Sequence, residues 1–288
     1  MPTPPTPPTP PAPPTILITG ATDGLGQALA HRLASETTTP TTLLLHGRDQ
    51  SRLDATADAI HSTHTVPRPQ TFLADLSDLS QVRALAAAVR AATPRLDVLV
   101  NNAGVGGGEP DGRDRRLSKD GYELRFAVNY LAGFLLTHEL LPLLRSSAPA
   151  RVVNVASLGQ QDIDFDDVML EQHYDGMRAY CQSKLAQISS TIELSERIPA
   201  DEVTFNSLHP ATFMPTKMVL KEIGHSIDSL ETGVEATRRL ILDPKLAGVT
   251  GRFYDRQREA KALRQAYDAK ARAELHRRSL EWVGLPPE

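Results

Sequence analysis

What this 288-residue chain lacks narrows it first. Its single cysteine, Cys181, excludes an intrachain disulfide and fits a reducing, cytoplasmic setting. Lying between Tyr180 and Gln182, it reads as a small buried thiol rather than a reactive one. Basic charge is not in surplus either. The formal net charge is −4 and no strand or helix carries a one-sided basic stripe, which excludes a nucleic-acid footprint. No apolar run approaches the ~20 residues of a membrane-spanning helix, so a soluble chain without a span is expected. Residues 1–14 have no basic start and no apolar centre, and read as neither signal peptide nor anchor. They hold nine prolines, which deny the backbone its donors and favour an extended, disordered tail. The remainder is long enough for one α/β core. The expected division is a tail over 1–14, one α/β domain over 15–255 and a helical extension over 256–288. No metal site is expected.

What is there begins with Thr15-Ile16-Leu17-Ile18-Thr19, a β-branched run short enough for a buried strand. It runs into Gly20-Ala21-Thr22-Asp23-Gly24-Leu25-Gly26 and then a helical pattern to Ala34. Strand, glycine turn and helix N-terminus together form a phosphate site, because glycines let backbone approach and free N–H groups favour anions. The second strand, 41–46, exits at Gly47-Arg48-Asp49. Dinucleotide folds place an acid there for a free ribose hydroxyl, or an arginine for a 2′-phosphate. Arg48 favours NADP over NAD, while Asp49 reads as the cap of the next helix. A third strand over 70–75 ends at Asp75-Leu76, an amphipathic helix follows over 79–92, and a fourth strand over 96–100 closes on Asn101-Asn102-Ala103-Gly104. This alternation predicts an α/β fold: a doubly wound parallel sheet of about seven strands flanked by helices.

Past a Gly- and charge-rich loop at 105–120, a long helix is expected over 121–145, with Asn129 among apolar neighbours. Ser157 stands at the exit of a fifth strand, where ligands of open α/β sheets bind. A sixth strand over 202–209 leads to Pro210 and a connection to about 230, whose length suits a substrate lid. Its Phe213, Met214, Met218, Val219, Leu220 and Ile223 either face an apolar ligand or pack a loop helix. Residues 251–254 read as a last short strand, and 256–283 as a charged, solvated helix.

The stretch Tyr180-Cys181-Gln182-Ser183-Lys184 carries the chemistry. On a helix over 176–198 the Tyr and Lys lie at i and i+4 on one face. An ammonium beside a phenol favours phenolate, and reaching neutrality from about 10 takes roughly 4 kcal/mol. That would make Tyr180 a general acid/base near pH 7.

Thr19-Gly20-x3-Gly24-x-Gly26, Asn101 to Gly104, Asn129, Ser157 and Tyr180-x3-Lys184 occur in the order and spacing of the short-chain dehydrogenase/reductase family. The chain resembles that family from about residue 15 to 254. Asp120-Gly121-Tyr122-Glu123, the run from Val128 to Thr137, and the run from Tyr180 to Ala186 are similar to its retinol dehydrogenase, WW-domain oxidoreductase and protochlorophyllide reductase-like group. The resemblance implies a Rossmann-type, NADP(H)-dependent oxidoreductase that interconverts a carbonyl and an alcohol on a small, lipophilic molecule. It implies Gly20, Thr22, Asp23, Gly24, Leu25 and Gly26 at the pyrophosphate, Arg48 at the 2′-phosphate, and Asp75 with Leu76 at the adenine. Asn102, Ala103 and Gly104 would line the cofactor, with Pro210 and Thr212 at the nicotinamide. Tyr180 would pass the proton, Ser157 hold the carbonyl oxygen, Lys184 bind ribose hydroxyls and depress the Tyr180 pKa, and Asn129 support a water relay. The resemblance leaves the oligomer open: family dimers often pair helices 121–145 and 176–198, but the charged C-terminal segment could cover that or another surface.

Two departures leave alternatives open. Pro210-Ala211 replaces the family's Pro-Gly, so either Thr212 or Thr216 could meet the nicotinamide amide. Asp23 puts a carboxylate at the phosphate loop, where it weakens NADPH selectivity or acts only as a turn residue. The rival readings are a redox-neutral cyclisation, dehydration or isomerisation on the same fold, and a cofactor-binding protein without chemistry.

Overall fold

Strand β1 (Thr15–Ile18) is buried on both faces, which explains its unbroken apolar run. The computed structural model describes residues 13–36, 41–64, 66–108 and 112–287, so the expected disorder of the tail falls, but for its last two residues, outside them. After β1 come α1 (Gly24–Ala34), β2 (Thr42–Gly47), α2 (Gln50–Thr63), β3 (Gln70–Leu73), α3 (Leu79–Ala92) and β4 (Val98–Asn101). Then follow α4 (Leu124–Phe126), α5 (Ala132–Ser146), β5 (Ala150–Val155), α6 (Gly176–Arg197), β6 (Val203–His209), α7 (Lys217–Glu222), α8 (Leu230–Leu242), β7 (Arg252–Asp255), β8 (Arg258–Ala260) and α9 (Ala269–Trp282).

The eight strands form one sheet in the order β3-β2-β1-β4-β5-β6-β7-β8. The first seven are parallel, and β8 returns antiparallel to β7. Chain direction along the sheet reverses between β1 and β4, and the carboxyl ends of these strands form the crevice where open α/β sheets bind ligands. One apolar layer joins α3, α5 and α6 to one sheet face through Leu85, Leu135, Ile188 and Phe205. The other joins α1 and α8 to the opposite face through Leu29, Leu33 and Leu240. Aspartates cap α2, α3 and α6: Asp49, Asp78 and Asp175 each accept from a backbone N–H of the first turn.

Three expectations need correction. The helix over 121–145 is interrupted, because α4 passes into a π-helical turn, Ala127–Leu131, that re-aims Asn129 before α5 begins. Apolar periodicity runs through the break and hid it. By length and composition, Leu124–Ser146 also contains an 18-residue window apolar enough to cross a membrane (mean hydropathy 1.3), contrary to the expectation of no such run; 61% of that window is buried inside the protein, as in a core helix, and the expectation of no span is neither met nor overturned. Finally, 256–283 is not one solvated helix. Arg258–Ala260 pairs as edge strand β8, so a hairpin crosses the boundary placed at 255. Its alternating charges suit an exposed edge and mimic a helix in sequence.

The last helix, α9, is half buried. Leu275 and Leu280 join the core beneath α6, and Tyr130 bonds Ser279 at 2.7 Å. Arg272, 5% exposed, reaches Glu193 at 3.2 Å and Glu196 at 2.6 Å on α6. The face left open for pairing two copies of the chain is thus covered by the chain's own α9.

Candidate active site

The exits of β1, β2 and β4 are tied together by hydrogen bonds. Gly20 has φ +68°, and a Cβ there would stand 2.9 Å from Ala103 Cα. A Cβ at Gly26 would collide with the Gly20 carbonyl and the Asn102 side chain, so α1 can start this close to the turn only with glycine. Asn102 Nδ2 donates to the Thr19 and Gly20 carbonyls, and the Asn102 and Ala103 N–H groups donate to Thr19 Oγ1. Leu25 faces the core, while Thr22 lies against Gly47.

His46 braces this turn from beneath. Gly20 N–H donates to its Nδ1 at 3.3 Å, which puts the ring proton on Nε2, 3.1 Å from the Ala74 carbonyl. Burial pulls its pKa down to about 4, against the Ala74 bond, and burial does the same to His209. An unfolded imidazole titrates near 6.5. The unfolded chain therefore binds more protons between about pH 6.5 and 4, and stability falls as pH drops through that window. Denaturant unfolding should show a loss of about 2 kcal/mol per imidazole between pH 7 and 4.5. His46→Gln should flatten that slope; an unchanged slope would refute the assignment.

Asp23 caps α1 by accepting from Gly24 N–H at 2.8 Å. Partial burial would raise its carboxyl, but bonds from Arg52 (2.6 Å) and Lys217 (3.1 Å) overcome this and hold it below the usual range. The charge noted at the phosphate loop is thus countered by two cations. Arg48 is exposed at the β2 exit and makes no hydrogen bond or ion pair among the described residues. Asp75, at the β3 exit, accepts from Ser77 N–H and hydroxyl, and Leu76 is buried beside it.

Across the crevice, Ser157 and Tyr180 meet over Gly159. A Cβ on Gly159 would lie 3.4 Å from Ser157 Oγ and 3.5 Å from both Tyr180 Cε1 and Cys181 Sγ. Gly159 N–H donates to Ser157 Oγ at 2.9 Å, and the serine hydroxyl also bonds the Tyr180 phenol. Lys184 is 5% exposed, with Nζ 5.7 Å from the Tyr180 ring centroid, and donates to Val155 O and Gln187 Oε1, both at 2.9 Å. Asn129 clamps Val105 through both backbone groups and donates to Ser183 Oγ at 3.0 Å, so its side chain is spent on protein groups. Pro210 and Thr212 follow β6. The Thr212 hydroxyl is held by His209 and Arg256, whereas Thr216 caps α7 and lies against Gly24.

The electrostatics differ from the sequence expectation. Burial pushes the Tyr180 phenol up to about 12, against the Ser157 hydrogen bond, although the residue as a whole is only half-buried. Burial pulls Lys184 down to about 7. Proximity alone implied a depressed phenol. Instead both groups are desolvated together, and the ammonium spends donors on Val155 and Gln187. Tyr180 is therefore protonated at neutral pH, the state of an acid rather than a base. Burial also pushes the Cys181 thiol up, which keeps it un-ionised and poorly nucleophilic.

Residues 14–225 match the family model for short chain dehydrogenases. The chain belongs to the short chain dehydrogenase family. It is 33% identical to retinol dehydrogenase 13 of Mus musculus, over 94% of this chain and 84% of that one. With retinol dehydrogenase 14 of Homo sapiens it shares 34% identity, covering 94% and 86%. Among solved structures, the Pseudomonas aeruginosa RhlG/NADP active-site complex superimposes with a TM-score of 0.67 at 25% identity, covering 84% of this chain and 94% of that one. As a short chain dehydrogenase, this protein binds a nicotinamide cofactor and carries out alcohol/carbonyl oxidoreduction. Its own residues fit that group: the glycine turn is close-packed, Asp23 is charge-balanced, Arg48 is exposed, and a Cβ at Gly104 would lie 3.7 Å from Lys184 Nζ.

Two residues of this short chain dehydrogenase escaped sequence reading. Arg125 is fully buried and donates to the Gly106 and Gly107 carbonyls at 2.8 and 2.7 Å, with Glu123 and the Tyr174 hydroxyl as further partners. Glu222, on α7, lies over the same glycines. The signal for Arg125 was a charge inside an apolar helix next to the Asp120 to Glu123 motif; for Glu222 no local pattern exists.

Proposed function

We propose that this protein is an NADP(H)-dependent reductase of a small, lipophilic carbonyl compound, with Tyr180 as proton donor. The convergence of a protonated Tyr180 on Ser157, beside a buried Lys184, carries the reading. The Ser157 hydroxyl, which accepts from Gly159 N–H, can turn its own proton to the substrate's carbonyl oxygen. Tyr180 supplies the proton that oxygen takes up. Lys184, with a pKa of about 7, can then share in reprotonating the phenol. The nicotinamide, when bound, supplies the hydride.

Gly20, Gly24 and Gly26 would hold the pyrophosphate, Asp75 and Leu76 the adenine, and Asn102 to Gly104 the cofactor's flank. Arg48, uncommitted to any group among the described residues, supports a 2′-phosphate and hence NADP. A lipophilic substrate is supported by apolar residues standing exposed on segments around Tyr180: Leu158, Met177, Phe213 and Leu220. A lone thiol supports the reducing, cytoplasmic setting.

Fluorescence titration with NADPH and NADH side by side tests the cofactor. NADPH is expected to bind about tenfold tighter, worth about 1.4 kcal/mol, and Arg48→Ala should erase most of that difference. Equal affinities in the wild type would remove Arg48 from the site. A product lighter by water, or unchanged in mass, in place of a two-hydrogen shift would replace reduction by redox-neutral chemistry.

A further inference from the structure

Helix α7, in the connection whose length suits a lid, is held at both ends by glycine segments. At its start, Thr216 rests on Gly24 and Lys217 pairs with Asp23 at 3.1 Å. At its end, Glu222 reaches the glycine run that follows β4. A Cβ at Gly106 would collide with the Glu222 carboxylate, and one at Gly108 would lie 3.0 Å from Glu222 Cγ. The glycines make room for this carboxylate. Met177 packs on Gly107 beside it, and Arg125 fixes the same backbone from behind.

Glu222 Oε1 is buried, yet it has no hydrogen-bond partner among the described residues, and no cation pairs with the carboxylate there. A buried carboxylate oxygen without a donor is costly, and its retention calls for a group that supplies one. The carboxylate is also within electrostatic reach of the reacting proton, since its charge contributes to the raised pKa of Tyr180. Around it the exposed surface is apolar, from Met177 and Leu220. An anion beside the proton donor, among exposed apolar side chains, selects by polarity where those side chains select by shape.

We infer that Glu222 is a specificity residue that receives a hydrogen-bond donor, a hydroxyl or an ammonium group, carried by the otherwise apolar substrate away from its reacting carbonyl. The substrate class is then an amphipathic hydroxy- or amino-carbonyl compound rather than a plain hydrocarbon ketone. This rests on the proposed carbonyl reduction, and the two are tested separately.

Short 2-alkanones and their ω-hydroxy and ω-amino counterparts are the probes. Steady-state kinetics should give KM values about tenfold lower for the donor-bearing ketones than for their parents, with a smaller change in kcat. Glu222→Gln should reduce the preference for ammonium, and Glu222→Leu should abolish both preferences. The ratio of KM values within each variant is the readout, so a general loss of activity in a variant does not obscure it. Calorimetric titration of the NADPH complex with the same compounds reads binding without turnover. Donor preference in binding without reduction would uphold the role of Glu222 and overturn the carbonyl-reductase reading. Reduction with equal KM values in the wild type, or a preference that survives in Glu222→Leu, would overturn the inference and leave the reductase reading intact.

Discussion

Tyr180→Phe is expected to lower turnover by on the order of a thousandfold, the range of a lost general acid, while NADPH affinity stays within about twofold. The asymmetry follows from the site. The phenol is protonated at neutral pH because burial lifts it to about 12, so the hydroxyl supplies a proton and the ring supplies only packing. Phenylalanine keeps the ring near Gly159 and Lys184, and the glycine turn that would hold the nucleotide makes no hydrogen bond to Tyr180. Carbonyl-dependent NADPH consumption measures the first quantity and fluorescence titration the second. Full turnover in the variant would end the proton-donor assignment. A parallel fall in NADPH affinity would show instead that the ring shapes the cofactor site.

Arg125→Met is expected to cost about 3–5 kcal/mol of stability, the penalty for stripping one partner from a buried charge pair. Arg125 is 0% exposed, and its removal would strand Glu123 (1% exposed) and two carbonyls of the Gly106–Gly107 backbone. Phe126 N–H and the Tyr174 hydroxyl would still donate to Glu123, so part of its solvation survives. For a chain of this size the midpoint should fall by about 10 °C. Thermal unfolding would show it, with Arg125→Lys as the comparison that retains charge but loses the planar fork. A shift below about 1 kcal/mol would mean that the pair behaves as an exposed one.

The parts of this protein legible in sequence are those whose signal is local. A β-branched run, a glycine turn and an apolar helix stand consecutively at β1 and α1, so strand, loop and phosphate cradle could be read together. Tyr180 and Lys184 are one helical turn apart, and α6 was expected within a residue of where it lies. Ser157 was found because strand exits are where such sheets bind ligands. What stayed hidden depends on distance or environment. The pairing of β8 is made by backbone, so Arg258 and Glu259 gave no apolar signal. The π-helical turn at Asn129 keeps the helical spacing of its apolar neighbours. The direction of the Tyr180 and Lys184 shifts was set by burial, and a four-residue spacing says nothing about whether Val155 and Gln187 will claim the ammonium. Glu222 meets Gly106 only through the path of the segment that follows β6.

The covering of α6 by α9 also sets a schedule for synthesis. The helix that carries Tyr180 and Lys184 leaves the ribosome well before Ala269–Trp282, the segment that seals its outer side through Arg272 and Leu275. At roughly 5–20 residues per second the interval is on the order of ten seconds. During it the first five strands can assemble, while α6 still exposes flank that only the later segment will bury. The nascent chain thus acquires its nucleotide half first and the cover of its proton-donor helix last. Its interval of greatest exposure to aggregation and to chaperones falls before Ala269–Trp282 is made, over the helix that carries Tyr180 and Lys184.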